Sequence, residues 1–275
     1  MPTLETNGIQ ISYTDSGGDG RPVVLIHGWP LSGASWSEQV PALTEAGYRV
    51  ITYDRRGFGA SDKPDTGYDY DYDTFTEDLA GLLELLEVTD ATIVGFSMGG
   101  GEVARYLGSR GSERIHSAVF AAAVPPFLLK SDDNPDGGLT PEDVQGFKDG
   151  VSNDRAGFLE EFTTNFFSAG DELKVTEAQR QEAIALVEPA STTAMLGCVE
   201  AFGTTDFRDD LEKIDVPTLV IHGDGDAVVP FEVSGKRTGE IVKDATVHVV
   251  ADGPHGFNVS HADELNRVLL DFLQR

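Results

Sequence analysis

The chain has 275 residues, long enough for one large domain or two small ones and for a sizeable buried core. Its 47 acidic residues against 20 basic ones leave a formal charge of −27, a field that repels nucleic acid and anionic membranes and excludes both as expected partners. A single cysteine, Cys198, excludes an internal disulfide and a cysteine-rich metal site.

The acidic residues are spread along the chain and interleaved with periodic apolar segments, so they read as the coat of a folded surface. Salt screens self-repulsion of this size, and a salt-adapted, halophilic host is therefore expected. The N-terminal MPTLETNGIQISYTDSGG has no basic or apolar leader pattern. No window approaches 18 uninterrupted apolar residues. The expectation is a soluble, cytoplasmic protein.

In chain order, IQISYTDSG alternates apolar and polar residues after Asn7-Gly8 and predicts an edge hairpin. Three short apolar runs of buried-strand type follow: PVVLIHG (22–28), YRVITYD (48–54) and ATIVGFS (91–97). SEQVPALTEAG predicts a helix between the first two. TFTEDLAGLLELLEV predicts one between the second and third, with Phe75, Leu79, Leu82, Leu83 and Leu86 on one face. YDYDYD (68–73) predicts an exposed acidic loop. Further strands are expected at IHSAVFAAAV, PTLVIHGDGD and ATVHVVAD, and a last helix at HADELNRVLLDFLQR.

Strands alternating with helices imply an α/β fold, a mostly parallel, doubly wound sheet with helices on both faces. The alternation breaks between about Pro125 and Asp215, where no strand is expected and DRAGFLEEFTTNFF and EAQRQEAIALVE predict helices. Residues 1–124 and 216–275 are therefore expected to form the core domain. Residues 125–215 are expected to form an inserted helical cap over the C-terminal edge of the sheet, where open parallel sheets bind ligands. The segment's Phe127, Phe158, Phe162, Phe166, Phe167, Phe202 and Phe207 are candidates for an apolar acyl or aryl pocket and equally for the cap's own core.

The stretch TIVGFSMGGGEVARYL carries the chemistry. As a phosphate cradle it fails: the glycine spacing does not fit Gly-x-Gly-x-x-Gly, and no Lys-Ser/Thr follows the glycines. GFGASD (57–62) lacks the third glycine too. What fits is Gly-x-Ser-x-Gly, a serine on a sharp strand-to-helix turn whose flanking Gly95 and Gly99 admit close backbone approach. A serine hydroxyl needs a base, and the expected chain order is Ser, acid, His. Of six histidines, His255 lies in a Gly/Pro-rich loop between the last strand and the last helix, while His261 looks like the start of that helix. The acid should follow the fifth strand, in LVIHGDGDAVVP, where Asp224 and Asp226 both qualify by spacing. Two backbone N–H donors are needed for an oxyanion: one from Met98, the residue after the serine, and one from Trp29 at the His27-Gly28 turn. Trp29 could alternatively be a core aromatic.

HGWPLSGASW, YDRRGFGASDKP, VGFSMGGGEVARYL, VIHGDGDAVVP and GPHGFNVSHADELN together resemble the α/β-hydrolase fold. They resemble in particular its cofactor-free (non-haem) haloperoxidase, perhydrolase and aryl esterase branch. The resemblance implies a Ser–Asp–His triad of Ser97, Asp226 and His255, with Asp226 as the second aspartate of His-Gly-Asp-x-Asp. It also implies Trp29 and Met98 as oxyanion donors, and neither cofactor nor metal. Haloperoxidase-like members carry proline after the aromatic of this turn, as Pro30 does here. The resemblance implies that Pro30 aims the Trp29 carbonyl at hydrogen peroxide or a peracid, which tilts the reading toward perhydrolysis. Expected partners are a small ester or carboxylic acid and hydrogen peroxide, and related enzymes form homo-oligomers. Haloalkane dehalogenases and epoxide hydrolases share the HGWP region but use an aspartate where this chain has Ser97. A C–C bond hydrolase or lactonase would keep the triad, and a non-catalytic small-ligand receptor on this fold is the reading from another class.

Overall fold

The computed structural model describes all 275 residues apart from the side chain of Tyr68. Strands β1 (Thr3–Thr6) and β2 (Ile9–Asp15) form the expected hairpin, turned by Asn7 and Gly8, both at positive φ. There follow β3 (Pro22–Ile26), α1 (Gln39–Glu45), β4 (Arg49–Tyr53), α2 (Tyr72–Leu85), β5 (Ala91–Phe96), α3 (Met98–Arg110) and β6 (Ile115–Ala121). The chain then leaves the sheet for α4 (Pro141–Asn153), α5 (Arg155–Phe166), the short strands β7 (Ser168–Ala169) and β8 (Glu172–Leu173), α6 (Glu177–Val187), α7 (Thr192–Thr204) and α8 (Arg208–Leu211). It returns through β9 (Thr218–Gly223), α9 (Gly235–Ile241), β10 (Ala245–Val250), α10 (Phe257–Ser260) and α11 (Ala262–Leu273).

The main sheet has eight strands in the order β1-β2-β4-β3-β5-β6-β9-β10. β2 pairs antiparallel with β1 and with β4, and every other pairing in this sheet is parallel. β3, β5 and β9 are covered on both faces, which is why they read as unbroken apolar runs rather than alternating ones. This is the doubly wound α/β sheet that the strand–helix alternation predicts.

The helices start where the sequence supplies caps. Asp71 accepts the Thr74 N–H at 2.7 Å and opens α2, whose Phe75, Leu79, Leu82 and Leu83 are buried on one face. Thr140 and Asp143 form a reciprocal capping box at α4, with Pro141 in its first turn. Thr176 and Gln179 do the same at α6.

Two local expectations are corrected. The segment 125–215, expected to hold no strand, contains the β7–β8 pair, a two-residue hairpin too short to carry a pattern in sequence. YDYDYD is not simply an exposed acidic loop: Tyr70 and Tyr72 are buried, and α2 begins at Tyr72. The alternation turns these tyrosines inward, the Tyr72 hydroxyl donating to the Met98 carbonyl at 3.0 Å, while the aspartates face out and cap. The Tyr68 side chain lies outside the described residues. Among the described residues no helix is long and apolar enough to cross a membrane.

Candidate active site

Ser97 sits between β5 and α3 at φ 54° and ψ −118°, a backbone conformation that costs a non-glycine residue about 1–3 kcal/mol. The turn is held by its neighbours. The Ser97 N–H donates to Ala121 O at 2.9 Å, and Ser97 O accepts from Gly100 N at 3.0 Å and Val124 N at 3.2 Å. Glycine is required before it: a Cβ on Gly95 would lie 2.4 Å from Gly99 O. The result is a hydroxyl lifted above the C-terminal end of the sheet.

Loops from two other strands bring partners to it. His255, between β10 and α10, places Nε2 2.9 Å from Ser97 Oγ. Asp226, just past β9, places Oδ2 2.7 Å from His255 Nδ1. The tautomer follows: Nδ1–H donates to the carboxylate, and Nε2 is bare to accept the serine proton. Asp226 Oδ1 accepts the N–H groups of Val228 at 2.9 Å and Val229 at 2.8 Å. All three residues are buried. Asp224 is directed elsewhere, accepting the Asp252 N–H on Oδ1 at 2.6 Å. His261 Nδ1 lies 2.9 Å from Ser260 Oγ.

Burial alone would push the Asp226 carboxyl up. The imidazoles of His255 and His222, by charge and hydrogen bonding, outweigh that and hold it down at about 2, against an ordinary 3.8. Because the folded value is depressed, the stability conferred by the ionised group is complete above about pH 4 and is lost as pH falls through about 2. Asp226→Asn should therefore flatten the decline of Tm between those two pH values. Melts of the variant as steep as wild type across that window would reject this assignment.

The structure also brings the predicted donors near Ser97. Met98 opens α3, so its N–H is among the helix's first, intrahelically unpaired amides. Gly28 packs so closely that a Cβ there would lie 3.0 Å from Ser97 Cβ and 2.8 Å from Phe96 Cδ1. Trp29 lines one small cavity with Ser97 and His255. Pro30 is buried behind it, and the Trp29–Pro30 peptide is cis. The Trp29 side chain is a core aromatic as well: its ring packs on Phe147, Phe158, Phe162 and Phe202 at centroid distances of 5.3–6.1 Å.

That cavity has a volume of about 20 Å³, room for one water-sized guest. Its apolar wall includes Val124, Leu128, Phe147, Phe162, Phe202 and Val229. Of the phenylalanines proposed from sequence, Phe162 and Phe202 line it, and the Phe166 ring packs edge-on to His255 at 4.9 Å. Phe127, Phe158, Phe167 and Phe207 pack elsewhere: Phe158 on Trp29, Phe167 against Gly256, Phe207 on Tyr72, and Phe127 under Arg208. Phe147 was missed, although Val144, Phe147 and Val151 mark an apolar face of α4 by their spacing. A larger groove, about 390 Å³, runs between α6 and residues 31–38 without reaching Ser97.

Sequence reasoning also missed a buried network behind the turn that carries Trp29. Arg55, on the loop after β4, pairs with Glu102 of α3 and donates to His27 O at 2.6 Å. The Arg55 N–H donates to His27 Nε2 at 2.9 Å. The Tyr53 hydroxyl donates to the other Glu102 oxygen at 2.5 Å. Asp54 accepts from Gly33 N and Ala60 N, each at 2.9 Å. The YDRRGFGASD motif is thus scaffolding for the turn that carries Trp29. Its residues look charged and solvent-facing in sequence, and only their partners from other strands explain their burial. Among the described residues, no cluster of three or more His, Cys, Asp or Glu side chains is arranged for a metal ion.

Comparison with known proteins agrees with this architecture. A family model described as the alpha/beta hydrolase fold matches residues 21–262. The chain is 44% identical to a non-heme chloroperoxidase of Kitasatospora aureofaciens, over 100% of both chains. It is 35% identical to a bifunctional esterase/perhydrolase of Acinetobacter calcoaceticus, over 98% of this chain and 97% of that one. The crystal structure of a bromoperoxidase from Bacillus anthracis superposes with a TM-score of 0.95 at 55% identity, each chain covered fully.

Proposed function

The chain belongs to the α/β-hydrolase family, in its non-haem haloperoxidase branch, and from that premise we propose that it is a serine hydrolase acting through a Ser97–His255–Asp226 triad and an acyl-enzyme. The observation that carries the reading is the unbroken hydrogen-bonded chain from Ser97 Oγ through His255 to Asp226, buried beside an apolar cavity. Its substrates are small or aryl esters and, with hydrogen peroxide, short carboxylic acids. Residues 125–215 act as the cap that closes the site.

His255 takes the Ser97 proton as Oγ attacks the acyl carbon. Asp226 holds the imidazole in its Nδ1–H tautomer and stabilises the cation that forms. The Trp29 and Met98 N–H groups receive the developing oxyanion, the latter aided by the N-terminal end of α3. His255 then returns the proton to the leaving alcohol, or to the leaving hydroxyl as water when the substrate is an acid. Water resolves the acyl-enzyme to an acid, and hydrogen peroxide resolves it to a peracid. The peracid, bromide and a proton give the parent acid and hypobromous acid away from the protein. The narrow, apolar cavity beside Ser97 argues against a long acyl chain.

The test is a side-by-side assay of p-nitrophenyl acetate hydrolysis and of acetate-plus-peroxide bromination. Turnover of both supports the reading, and turnover of neither leaves a ligand-binding protein on this fold. Pro30 fixes its own φ and restricts Trp29, whose carbonyl it directs toward peroxide. Pro30→Leu should thus lower the ratio of bromination to hydrolysis several-fold while sparing hydrolysis. An unchanged ratio would remove Pro30 from the peroxide step.

The acidic surface supports a protein of a salt-adapted host. With a net charge of −27, Tm should rise as KCl is raised and self-repulsion is screened. A Tm that stays level or falls with KCl would count against that habitat.

A further inference from the structure

The steps above leave two fully buried histidines unused: His27, which is held in the Arg55 network, and His222. His222, near the end of β9, has no accessible surface, yet it lies against the acid of the proposed triad. Its Nε2 faces two oxygens: Val229 O at 2.7 Å and Asp226 Oδ2 at 3.2 Å. A ring nitrogen between two acceptors must carry the hydrogen. Nδ1 has no hydrogen-bond partner among the described residues, and a bare lone pair there costs less than a buried N–H with no acceptor. The ring is fixed from outside as well. Phe231 packs on it at a centroid distance of 5.8 Å, and a Cβ on Gly235 would lie 2.6 Å from Nδ1.

The Asp226 oxygen involved is Oδ2, the one that also receives His255 Nδ1–H. Oδ1 is taken by the Val228 and Val229 amides. The carboxylate therefore has donors on both oxygens, and rotation about its Cβ–Cγ bond would break several bonds at once. His222 and His255 are the titratable groups that face it.

We propose that His222 is a positioning residue: by donating Nε2–H between Val229 O and Asp226 Oδ2, it locks the carboxylate plane that orients His255. It binds no substrate and does not touch Ser97. The proposal rests on the Ser97–His255–Asp226 reading of the reaction. It adds that β9 supplies a second imidazole to the acid, and that the hydrogen bond to Val229 O ties the acid to the cavity wall.

The test compares His222→Leu, His222→Gln and Ser97→Ala in p-nitrophenyl acetate hydrolysis. Leucine fills the space without a donor, and the glutamine side-chain amide can donate from near the Nε2 position. His222→Leu should lower kcat about tenfold or more, the scale of a lost hydrogen bond to a charged group, with KM changed less than about twofold. His222→Gln should recover most of kcat. A folded His222→Leu with wild-type kcat, beside an inactive Ser97→Ala, would overturn the proposal alone. An active Ser97→Ala would overturn the underlying reading. Should His222→Leu not fold, nitrogen-15 NMR of histidine-labelled wild-type protein at pH 8 decides, with His222→Gln assigning the signal. A protonated Nε2 and bare Nδ1 support the proposal, and any other form overturns it.

Discussion

Ser97→Ala should abolish ester hydrolysis and bromination together, with kcat down by at least about 10⁴-fold, since removal of a nucleophile leaves only the background supplied by binding and the oxyanion donors. The joint loss matters more than its size. In the proposed reaction both outcomes pass through one acyl group on Ser97 Oγ, so neither can outlive it. Alanine at φ 54° is as strained as serine, and the three backbone hydrogen bonds that hold the turn do not involve the hydroxyl. The variant should therefore stay folded, with stability within about 1 kcal/mol of wild type. Bromination that persists in Ser97→Ala with acetate and peroxide would overturn the acyl-enzyme route, whatever happens to ester hydrolysis.

The largest effect on stability is expected away from the reacting atoms, at the Arg55–Glu102 pair. Glu102→Gln preserves shape but leaves the Arg55 guanidinium without a counter-charge in a site where Arg55 is 1% exposed and Glu102 0%. Removing one partner of such a pair costs about 3–5 kcal/mol, because the other charge stays buried and uncompensated. The same carboxylate accepts the Tyr53 hydroxyl, and Arg55 holds the His27 carbonyl, so the loss reaches the turn that carries Trp29. Urea unfolding should show a lower midpoint with an unchanged slope. Replacing both partners by apolar residues of similar volume should cost less than the single change. A Glu102→Gln midpoint equal to wild type would mean that water or another group compensates Arg55, and the network would then not be a stabilising tie.

The two residues also explain why part of the site was hidden. Arg55 and Glu102 stand 47 positions apart and meet only because β4 and β5 flank β3 in the sheet. Phe147 and Phe202 reach the cavity from α4 and α7, far along the chain from Trp29. His222 precedes the acid in the chain, so the order Ser, acid, His does not point to it. Order along the chain says which residue could be the base, but not which one braces the acid. Asp224 and Asp226 show the same limit at close range. Two residues apart on one turn, they are equivalent by spacing, yet one faces His255 and the other the Asp252 amide.

The sequence alone set the strands of the main sheet, most of the helices and the serine elbow, because these depend on periodicity, caps and glycine placement within a few residues, whereas the two-residue β7 and β8 leave no pattern. It also limited the base to a loop after the last strand and the acid to a loop after the preceding one. The tertiary structure decided which aspartate meets His255, which phenylalanines close over Ser97, and why charged residues of YDRRGFGASD are buried. Those outcomes are set by distances between elements that are remote in the chain. Buried polar groups have to find partners there, and no local pattern records which partner they find.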